Sequence, residues 1–133
     1  MKELVQRMRI LSEADTVRAV LTVREAASRV GMKAGAGSAL ATAVSELATN
    51  VVKYAGSGRM TLRSLRNRQQ PGLEVVVEDY GPGIPDVGLA MTDRVSTGGT
   101  LGLGLPGTKR LVDEFELESK PGQGTRIRIV KWG

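Results

Sequence analysis

Three stretches of this sequence decide how the rest of it is interpreted: Glu46-Leu-Ala-Thr-Asn50, Glu78-Asp-Tyr-Gly-Pro-Gly83 and Gly98-Gly-Thr-Leu-Gly-Leu-Gly104. The first places a glutamate and an asparagine one turn apart on a predicted helix, the second an aspartate after an apolar run. The third is a glycine-rich loop before another predicted helix. Taken singly, each has an ordinary explanation: surface polar residues, a turn aspartate and a flexible linker. Their order and spacing within 133 residues point to one shared site.

Composition limits the chemistry that such a site can perform. The chain has 133 residues, 41% of them hydrophobic, which is typical of one globular domain. It contains no Cys and no His, so disulfides, thiolate catalysis and Cys-ligated metals are excluded. Histidine is the commonest proton carrier at neutral pH. Because it is missing, any proton transfer must be made by a carboxylate, Lys or Tyr.

Two further composition features bear on location and partners. No apolar run approaches the roughly 20 residues of a membrane span, and the N-terminus has no signal-peptide core, so we expect a cytoplasmic protein without membrane contact. The net charge is +5, but the basic residues are spread out apart from Arg63, Arg66 and Arg68. Aromatic residues make up only 3%, which leaves little on which bases could stack. We expect no nucleic-acid partner; an acidic protein or the phosphates of ATP explain the charge equally well.

Hydrophobic periodicity predicts an α+β fold in a single domain over 1–133. In chain order we predict an edge strand over 3–10, a helix over 12–31, and a small-residue stretch over 34–37 that leads into a second helix, which residues 56–58 end. Strands over 59–64 and 73–77 joined by a turn at 69–72, a loop over 79–104, a third helix over 105–115 and a hairpin over 115–130 follow. The apolar stripe of the second helix is Leu40, Val44, Leu47, Val51 and Tyr54; that of the third is Leu105, Thr108, Leu111, Val112 and Phe115. The expected architecture is a two-layer sandwich, a mixed, mostly antiparallel sheet with helices on one face.

The second helix also carries a polar stripe beside its apolar one, formed by Glu46, Asn50 and Lys53. The amide oxygen of Asn50 suits Mg²⁺, which usually takes one or two protein ligands and completes its shell with phosphates and water. Glu46 can orient or deprotonate an attacking hydroxyl group. Lys53 can meet a phosphate oxygen, and a solvated surface charge explains it equally well.

The other two stretches supply the base and phosphate contacts of a nucleotide. Asp79 ends the apolar strand and can accept a hydrogen bond from the exocyclic amine of adenine, while Gly81 and Gly83 let the backbone approach the base. Thr125 can bond the same region through its hydroxyl group. The glycines of 98–104 free backbone N–H groups for phosphates at a helix N-terminus, without the sequence of a Walker loop or a dinucleotide fingerprint. Together the three stretches predict a Mg-ATP site.

These stretches resemble the conserved boxes of the GHKL ATPase superfamily (gyrase, heat-shock chaperone, histidine kinase and MutL), whose nucleotide site is the Bergerat fold. Residues 46–50 are similar to the N box, 79–83 to the first glycine box and 98–104 to the second. The resemblance covers nearly the whole chain. Within the superfamily, the sequence looks most like the RsbT-type serine/threonine switch kinases of the stressosome, relatives of the anti-sigma-factor kinases of partner-switching systems.

The resemblance implies roles for the matching residues, with ATP and Mg²⁺ as cofactors. Glu46 would be the general base, Asn50 the Mg²⁺ ligand and Asp79 the partner of the adenine amine. The nucleotide would also be lined by Gly83, Ile84, Thr100, Leu101, Gly102, Leu103 and Gly104, with 84–100 as the ATP lid. Whether Arg94 in that lid reaches the γ-phosphate is left open.

The implied activity is that of a Mg-ATP-dependent protein serine/threonine kinase. It would phosphorylate a STAS-domain antagonist, meet a STAS-domain stressosome scaffold and, once released, activate a PP2C-type phosphatase. The alternatives are an anti-sigma-factor kinase that sequesters a sigma factor, a non-catalytic nucleotide-gated module and a plain ATPase. The absence of His excludes a sensor histidine kinase, and we expect no DNA-coupled motor, because these 133 residues show no transducer domain. Related anti-sigma kinases dimerise through the sheet edge, and the sequence leaves a homodimer open.

Overall fold

Five strands form a single sheet in the order β1-β2-β3-β5-β4 in the computed structural model, which describes residues 4–83 and 104–133. The strands are β1 (Val5–Ile10), β2 (Gly58–Asn67), β3 (Gln70–Asp79), β4 (Glu114–Lys120) and β5 (Gly124–Trp132). The helices are α1 (Glu13–Val30), α2 (Ala34–Asn50), a π-helical turn (Val51–Ala55) and α3 (Gly104–Leu111). All four strand pairings within these ranges are antiparallel, which refines the expected mixed, mostly antiparallel sheet.

The core lies between the helices and one face of the sheet. Leu73, Val75 and Val77 point to this face from alternate positions of β3, and they are at most 3% exposed. On the helix side, Leu40, Val44 and Leu47 of α2 are buried with the one-face spacing that the sequence predicted. The α+β sandwich with helices on one face is confirmed.

Close packing of α1 on α2 depends on small residues. A Cβ added at Gly37 of α2 would lie 3.2 Å from Ala27 Cβ of α1, so the two helix backbones approach closely there. Gly31 ends α1 in the left-handed conformation with φ 88°, and the Met32 N–H donates to the Ala27 carbonyl at 2.9 Å. The two helices therefore form a tight antiparallel pair over the sheet.

Three local predictions are wrong. Tyr54 was expected in the buried stripe but is 47% exposed, because the turn from Val51 to Ala55 is π-helical and its wider i to i+5 spacing moves later residues off the α-helical stripe. Phe115 was expected in the third helix but lies in β4. The helix ends at Leu111, and the Asp113 N–H already donates to the Val130 carbonyl of β5 at 2.8 Å.

The third correction concerns the first hairpin. The turn was expected at 69–72, but strand pairing continues from Gln70 through Gly72, and the connection is Arg68–Gln69, with Arg68 at φ 59°. Within this strand, position 72 has no room for a side chain, because a Cβ added at Gly72 would lie 2.5 Å from the Trp132 ring of β5. In the part of the chain that the structure describes, no helix has the length and apolar character of a membrane span.

Candidate nucleotide site

One row of residues crosses the sheet at the end where β3 stops. The strand register pairs Gly58 of β2 with Asp79 of β3, Asp79 with Thr125 of β5, and Thr125 with Ser119 of β4. Side chains paired in this way point to the same face of a sheet. Asp79 lies two positions after the core residue Val77 on β3, so the whole row shares the face of Val77. The polar side chains therefore lie on the helix-covered face, where the apolar rows of the core end.

Asp79 is held in a defined orientation at this end. The Gly81 N–H donates to Asp79 Oδ1 at 2.9 Å, which closes a tight turn after the strand. The carboxyl group is half-buried, and it lines a cleft of about 580 Å³ together with Leu117, Ser119 and Thr125. The sequence prediction that Asp79 and Thr125 meet at one place is consistent with this geometry.

The two glycines after Asp79 are shaped by packing against the protein itself. A Cβ at Gly81 would lie 2.6 Å from Ala55 Cβ, and one at Gly83 would lie 2.3 Å from the Lys120 carbonyl oxygen. Gly83 also has φ 78°, a conformation that other residues rarely adopt. Residues 81–83 therefore sit between the π-helical turn on one side and the β4–β5 hairpin on the other.

The end of α2 lies over the same row. Val51 and Ala55 of the π-helical turn contact the positions of Gly58 and Gly81 so closely that neither glycine has room for a side chain. Glu46 and Asn50, both half-buried, occupy the last two turns of α2 leading into this contact. Asn50, which directly precedes this turn, therefore lies near the Asp79 end of the sheet, and Glu46 lies one turn earlier on α2.

Lys53 departs from the expected stripe. It lies in the π-helical turn rather than in α2, is exposed, and its Nζ stands 5.3 Å from the centroid of the Tyr54 ring. A cation over an aromatic face gains modest electrostatic attraction at an exposed site. The structure does not align Lys53 with Glu46 and Asn50 on one α-helical face.

The glycine-rich loop is only partly within the described ranges. Ile84, Thr100, Leu101, Gly102 and Leu103 lie outside the described residues, as does Arg94. Gly104 begins α3 with φ 67°, and its carbonyl oxygen accepts a hydrogen bond from the fully buried Thr108 hydroxyl at 2.9 Å. The helix α3 packs against α2, the helix that carries Glu46 and Asn50.

The donor set fits a magnesium ion held mainly by a nucleotide. Residues 4–83 and 104–133 contain no cluster of three acidic side chains that would build an all-protein metal site. A single oxygen donor such as Asn50 is the kind of partial shell that Mg²⁺ completes with phosphates and water. This composition agrees with Mg²⁺ arriving together with ATP.

One residue of the site was missed from the sequence. Ser119 lines the cleft, and its Oγ lies 2.8 Å from Thr125 Oγ1. The predicted turn at 120–124 already places residues 119 and 125 opposite each other in a hairpin, so this pairing was available as a signal.

Comparison with known proteins places the chain in a family. Residues 10–131 match the family model described as "Histidine kinase-like ATPase domain", and the chain belongs to that family. It is 45% identical over 125 residues to "Serine/threonine-protein kinase RsbT" of Bacillus subtilis (strain 168), covering 94% of each protein. The resemblance to RsbT-type kinases within the GHKL superfamily is thereby confirmed.

More distant relatives and solved structures agree with this assignment. The chain is 36% identical over 97 residues to "Anti-sigma F factor" of Caldanaerobacter subterraneus, covering 68% of this chain and 66% of the relative. The histidine kinase domain of an Erythrobacter litoralis blue-light activated histidine kinase matches with a TM-score of 0.53 and 25% identity, over 89% of this chain and 59% of that one. The mycobacterial sensor histidine kinase MprB matches with a TM-score of 0.57 and 21% identity over 98% of both chains, which shows a shared fold.

Proposed function

We propose that this chain transfers the γ-phosphoryl group of Mg-ATP to a Ser or Thr hydroxyl of a STAS-domain antagonist. The enzyme class, a serine/threonine-protein kinase, follows from the 45% identity with RsbT over 94% of both proteins. The mechanism is supported by the position of Asn50, which directly precedes the π-helical turn whose Val51 and Ala55 pack against Gly58 and Gly81, the neighbours of Asp79.

Each residue has a separate task in this proposal. Asp79, oriented by the Gly81 N–H, accepts the hydrogen bond of the adenine amine and fixes the base. The phosphates then extend toward the N-terminal end of α3, where free N–H groups favour anions. Glu46 takes the proton of the acceptor hydroxyl, and Asn50 contributes one oxygen to Mg²⁺. Mg²⁺, when bound, neutralises charge on the transferring phosphoryl group.

The phosphorylated product would also act as a switch. A phosphate group adds about two negative charges and strong acceptor oxygens to the antagonist. Placed at the contact with Glu46, it is repelled by the carboxylate, and the complex separates. The freed kinase then binds and activates a PP2C-type phosphatase, and the exchange of partners takes place in the cytoplasm, with a STAS-domain scaffold as the other docking partner.

The decisive experiment compares wild type with Glu46→Gln, which keeps the shape of the side chain and removes its basicity. Each protein is incubated with Mg²⁺, γ-labelled ATP and a purified STAS-domain protein from the same cell. We expect label on a Ser or Thr with wild type and at least a ~100-fold slower transfer with the variant, in the range of general-base contributions. Glu25→Gln is the matched control, since Glu25 is exposed on α1 and forms an ion pair with Arg29 on the helix surface.

Nucleotide affinity must be measured alongside transfer. Unchanged affinity with lost transfer supports Glu46 as the base, whereas unchanged transfer overturns that assignment. Label released as free phosphate without any protein acceptor would indicate a plain ATPase. Binding of ATP with neither product would indicate a nucleotide-gated binding module.

A second candidate has its own support. The relative named "Anti-sigma F factor" matches 68% of this chain, so a sigma factor is a candidate partner. Co-purification with a sigma factor from the same cell in the presence of Mg-ADP, and reduced transcription by that factor, would favour this function. Failure to retain any sigma factor would leave the switch kinase.

A further inference from the structure

The open face of the sheet, opposite the helices, divides its charges between two halves. The strands β3, β5 and β4 present both signs there, five glutamates and two arginines: Glu74, Glu78, Glu114, Glu116, Glu118, Arg126 and Arg128. The strands β1 and β2 present four exposed arginines and no carboxylate: Arg7, Arg9, Arg59 and Arg63. We call these four arginines the basic patch.

Two arginines of the basic patch face each other directly. Arg9 of β1 pairs with Arg59 of β2 in the strand register, and like charges directly opposite each other destabilise a sheet. A charge on an edge strand such as β1 is explained by protection against edge-to-edge pairing. A second arginine opposite it on β2, an inner strand, is not explained in that way. Natural proteins break such local rules mainly at functional sites.

An exposed aromatic ring borders the basic patch. Tyr80 is 71% exposed, and its hydroxyl oxygen accepts a hydrogen bond from Arg59 Nη2 at 2.9 Å. Glu78 Oε1 holds the same arginine from the other side, 3.3 Å from its Nε. Because these contacts order the ring and the guanidinium in advance, a partner that covers them loses less conformational entropy. Tyrosine and arginine are also enriched among the residues that dominate the binding energy of protein interfaces.

The basic patch adjoins the end of the molecule where phosphoryl transfer is proposed. Arg59 follows Gly58, where an added Cβ would lie 2.7 Å from Val51 of the π-helical turn. Asn50, the proposed Mg²⁺ ligand, directly precedes that turn. Tyr80 lies next to the second glycine that packs against the turn. A protein bound to Arg59 and Tyr80 is therefore close to the turn that follows the proposed Mg²⁺ ligand.

We propose that the basic patch, with Tyr80 at its border, docks an acidic segment of the protein that accepts the phosphoryl group. Opposite charge steers such a segment to the patch, and the Tyr80 ring supplies an apolar contact that fixes its position. An acidic protein segment fits this surface better than a nucleic acid, because aromatic residues on which bases could stack make up only 3% of the sequence. This inference rests on the proposed function, since it locates the acceptor of that reaction.

The test compares Arg9→Glu with wild type in the transfer assay while the concentration of the purified STAS-domain protein is varied. The substitution reverses one charge of the patch, keeps a charge on the edge strand and removes the repulsion between Arg9 and Arg59, so the melting temperature should not fall. We expect the KM for the STAS-domain protein to rise about three- to tenfold at low salt, with kcat and ADP affinity unchanged. The difference should shrink in about 0.5 M salt, which screens exposed charges. Lys33→Glu, the same charge change at an exposed position before α2, should match wild type.

Tyr80 is tested separately. Tyr80→Ala should raise the same KM about tenfold, as expected for an interface anchor, and this effect should persist in high salt because it comes from apolar contact. Tyr80→Phe keeps the ring and should retain most of the affinity. If Tyr80→Phe is as weak as Tyr80→Ala, the ring is not the anchor and that part of the inference is wrong.

Each other result has a definite meaning. An equal rise in KM for Arg9→Glu and Lys33→Glu would show a response to net charge alone, and an unchanged KM for Arg9→Glu would show that the acceptor docks elsewhere. The inference is wrong in both cases, while the proposed function stands. Should Arg9→Glu not fold by circular dichroism, Arg9→Gln replaces it, with a smaller rise in the same direction expected and no rise as the contrary result.

Two further measurements examine the other possible occupants and the proposed function. A wild-type dimer that Arg9→Glu separates in light scattering, or pelleting with phosphatidylserine vesicles that it abolishes, would assign the patch to a second copy or to lipid and overturn the inference. If wild type transfers no phosphate, calorimetry with the STAS-domain protein separates the two proposals. Binding that Arg9→Glu weakens keeps the docking surface and rejects the kinase reaction, whereas no binding, or binding that Arg9→Glu leaves unchanged, rejects both.

Discussion

The two faces of the sheet use the same strands for different purposes. On the helix-covered face, β3 presents Leu73, Val75 and Val77 to the core, and this row ends in Asp79. On the open face, β3 presents Glu74 and Glu78 between arginines of β2 and β5. The covered face stabilises the fold by apolar burial and leaves its polar residues at one end. The open face carries paired charges around two buried valines, Val76 and Val130.

Arg128 is the centre of the open face. It donates to Glu74 at 2.7 Å, and also contacts Glu114 at 3.3 Å and Glu116 at 3.5 Å. The hydrogen bond to Glu74 raises the pKa of Arg128 above its ordinary value, so it stays charged at any pH at which the protein folds. The covered row ends in Asp79 at the cleft, which Glu78 and Arg126 of the open face also line, whereas Arg128 lies outside that lining and is paired with three carboxylates.

The largest expected effect removes apolar volume from the covered face. Ile129 of β5 is fully buried, and Ile129→Ala should destabilise the protein by about 2–5 kcal/mol, since it leaves a cavity as well as losing burial. Chemical denaturation measures this value, and Ile129→Val, at about 1 kcal/mol, is the graded control. A cost below that of the valine variant would contradict the assignment of this face as the main source of stability.

The next largest effect falls on binding and not on stability. Asp79→Asn replaces one acceptor oxygen by an amide donor facing the base, so ADP affinity should fall about 10- to 100-fold, the range for a charged hydrogen-bond partner. Calorimetry measures the affinity, and a melting temperature within a few degrees of wild type shows that the fold is retained. Normal affinity would remove Asp79 from the adenine site.

The open face should respond in the opposite way. Arg128→Met leaves the half-buried carboxylate of Glu74 and the exposed carboxylates of Glu114 and Glu116 without their shared cation. We expect a loss of about 1–2 kcal/mol in unfolding free energy, because these charges are only partly shielded from water. ADP affinity should not change. A stable Arg128→Met protein that no longer binds ADP would break the separation of the two faces.

The smallest effect is a pH dependence at the start of α1. The Leu11 N–H donates to Asp15 Oδ2 at 2.8 Å, and this bond, with help from Arg18, lowers the pKa of Asp15 below its ordinary 3.8. A lowered folded-state pKa stabilises the protein at pH values above 3.8, and this contribution is lost as pH falls through the folded-state pKa. The melting temperature of Asp15→Asn should therefore lie slightly below that of wild type at pH 7, and the gap should close in strong acid. A gap that does not narrow as the pH falls below 3.8 would contradict the role of the charge.

Periodicity predicted the parts of the fold that depend on local burial. The apolar stripe of α2 was predicted through Val51 because α-helical spacing holds that far. Tyr54 was misplaced because the change to π-helical spacing comes from packing against Gly58 and Gly81, which the local sequence does not show. Phe115 was misplaced because Leu111, Val112 and Phe115 fit the apolar face of either a helix or a strand.

The sequence indicated the individual candidate residues of the site better than it indicated which of them lie next to one another. Glu46 and Asn50 needed only helical spacing, and Asp79 only its place at a strand end. The pairing of Asp79 with Thr125 depends on the register of two strands 46 positions apart, counted from 79 to 125. The contribution of Ser119 depends on that register too, since only side-chain distances show that its hydroxyl group reaches Thr125.

The most direct test of the account is a titration of the isotope-labelled protein with Mg-ADP, followed by backbone amide chemical shifts. If the nucleotide binds beside Asp79, the largest shifts will fall on Gly81, Gly83, Gly124 and Thr125, next to the cleft. Val76 and Arg128 on the open face will show small shifts. Large shifts on the open face with none around Asp79, or no shifts anywhere at saturating nucleotide, would contradict a nucleotide site at this end of the sheet.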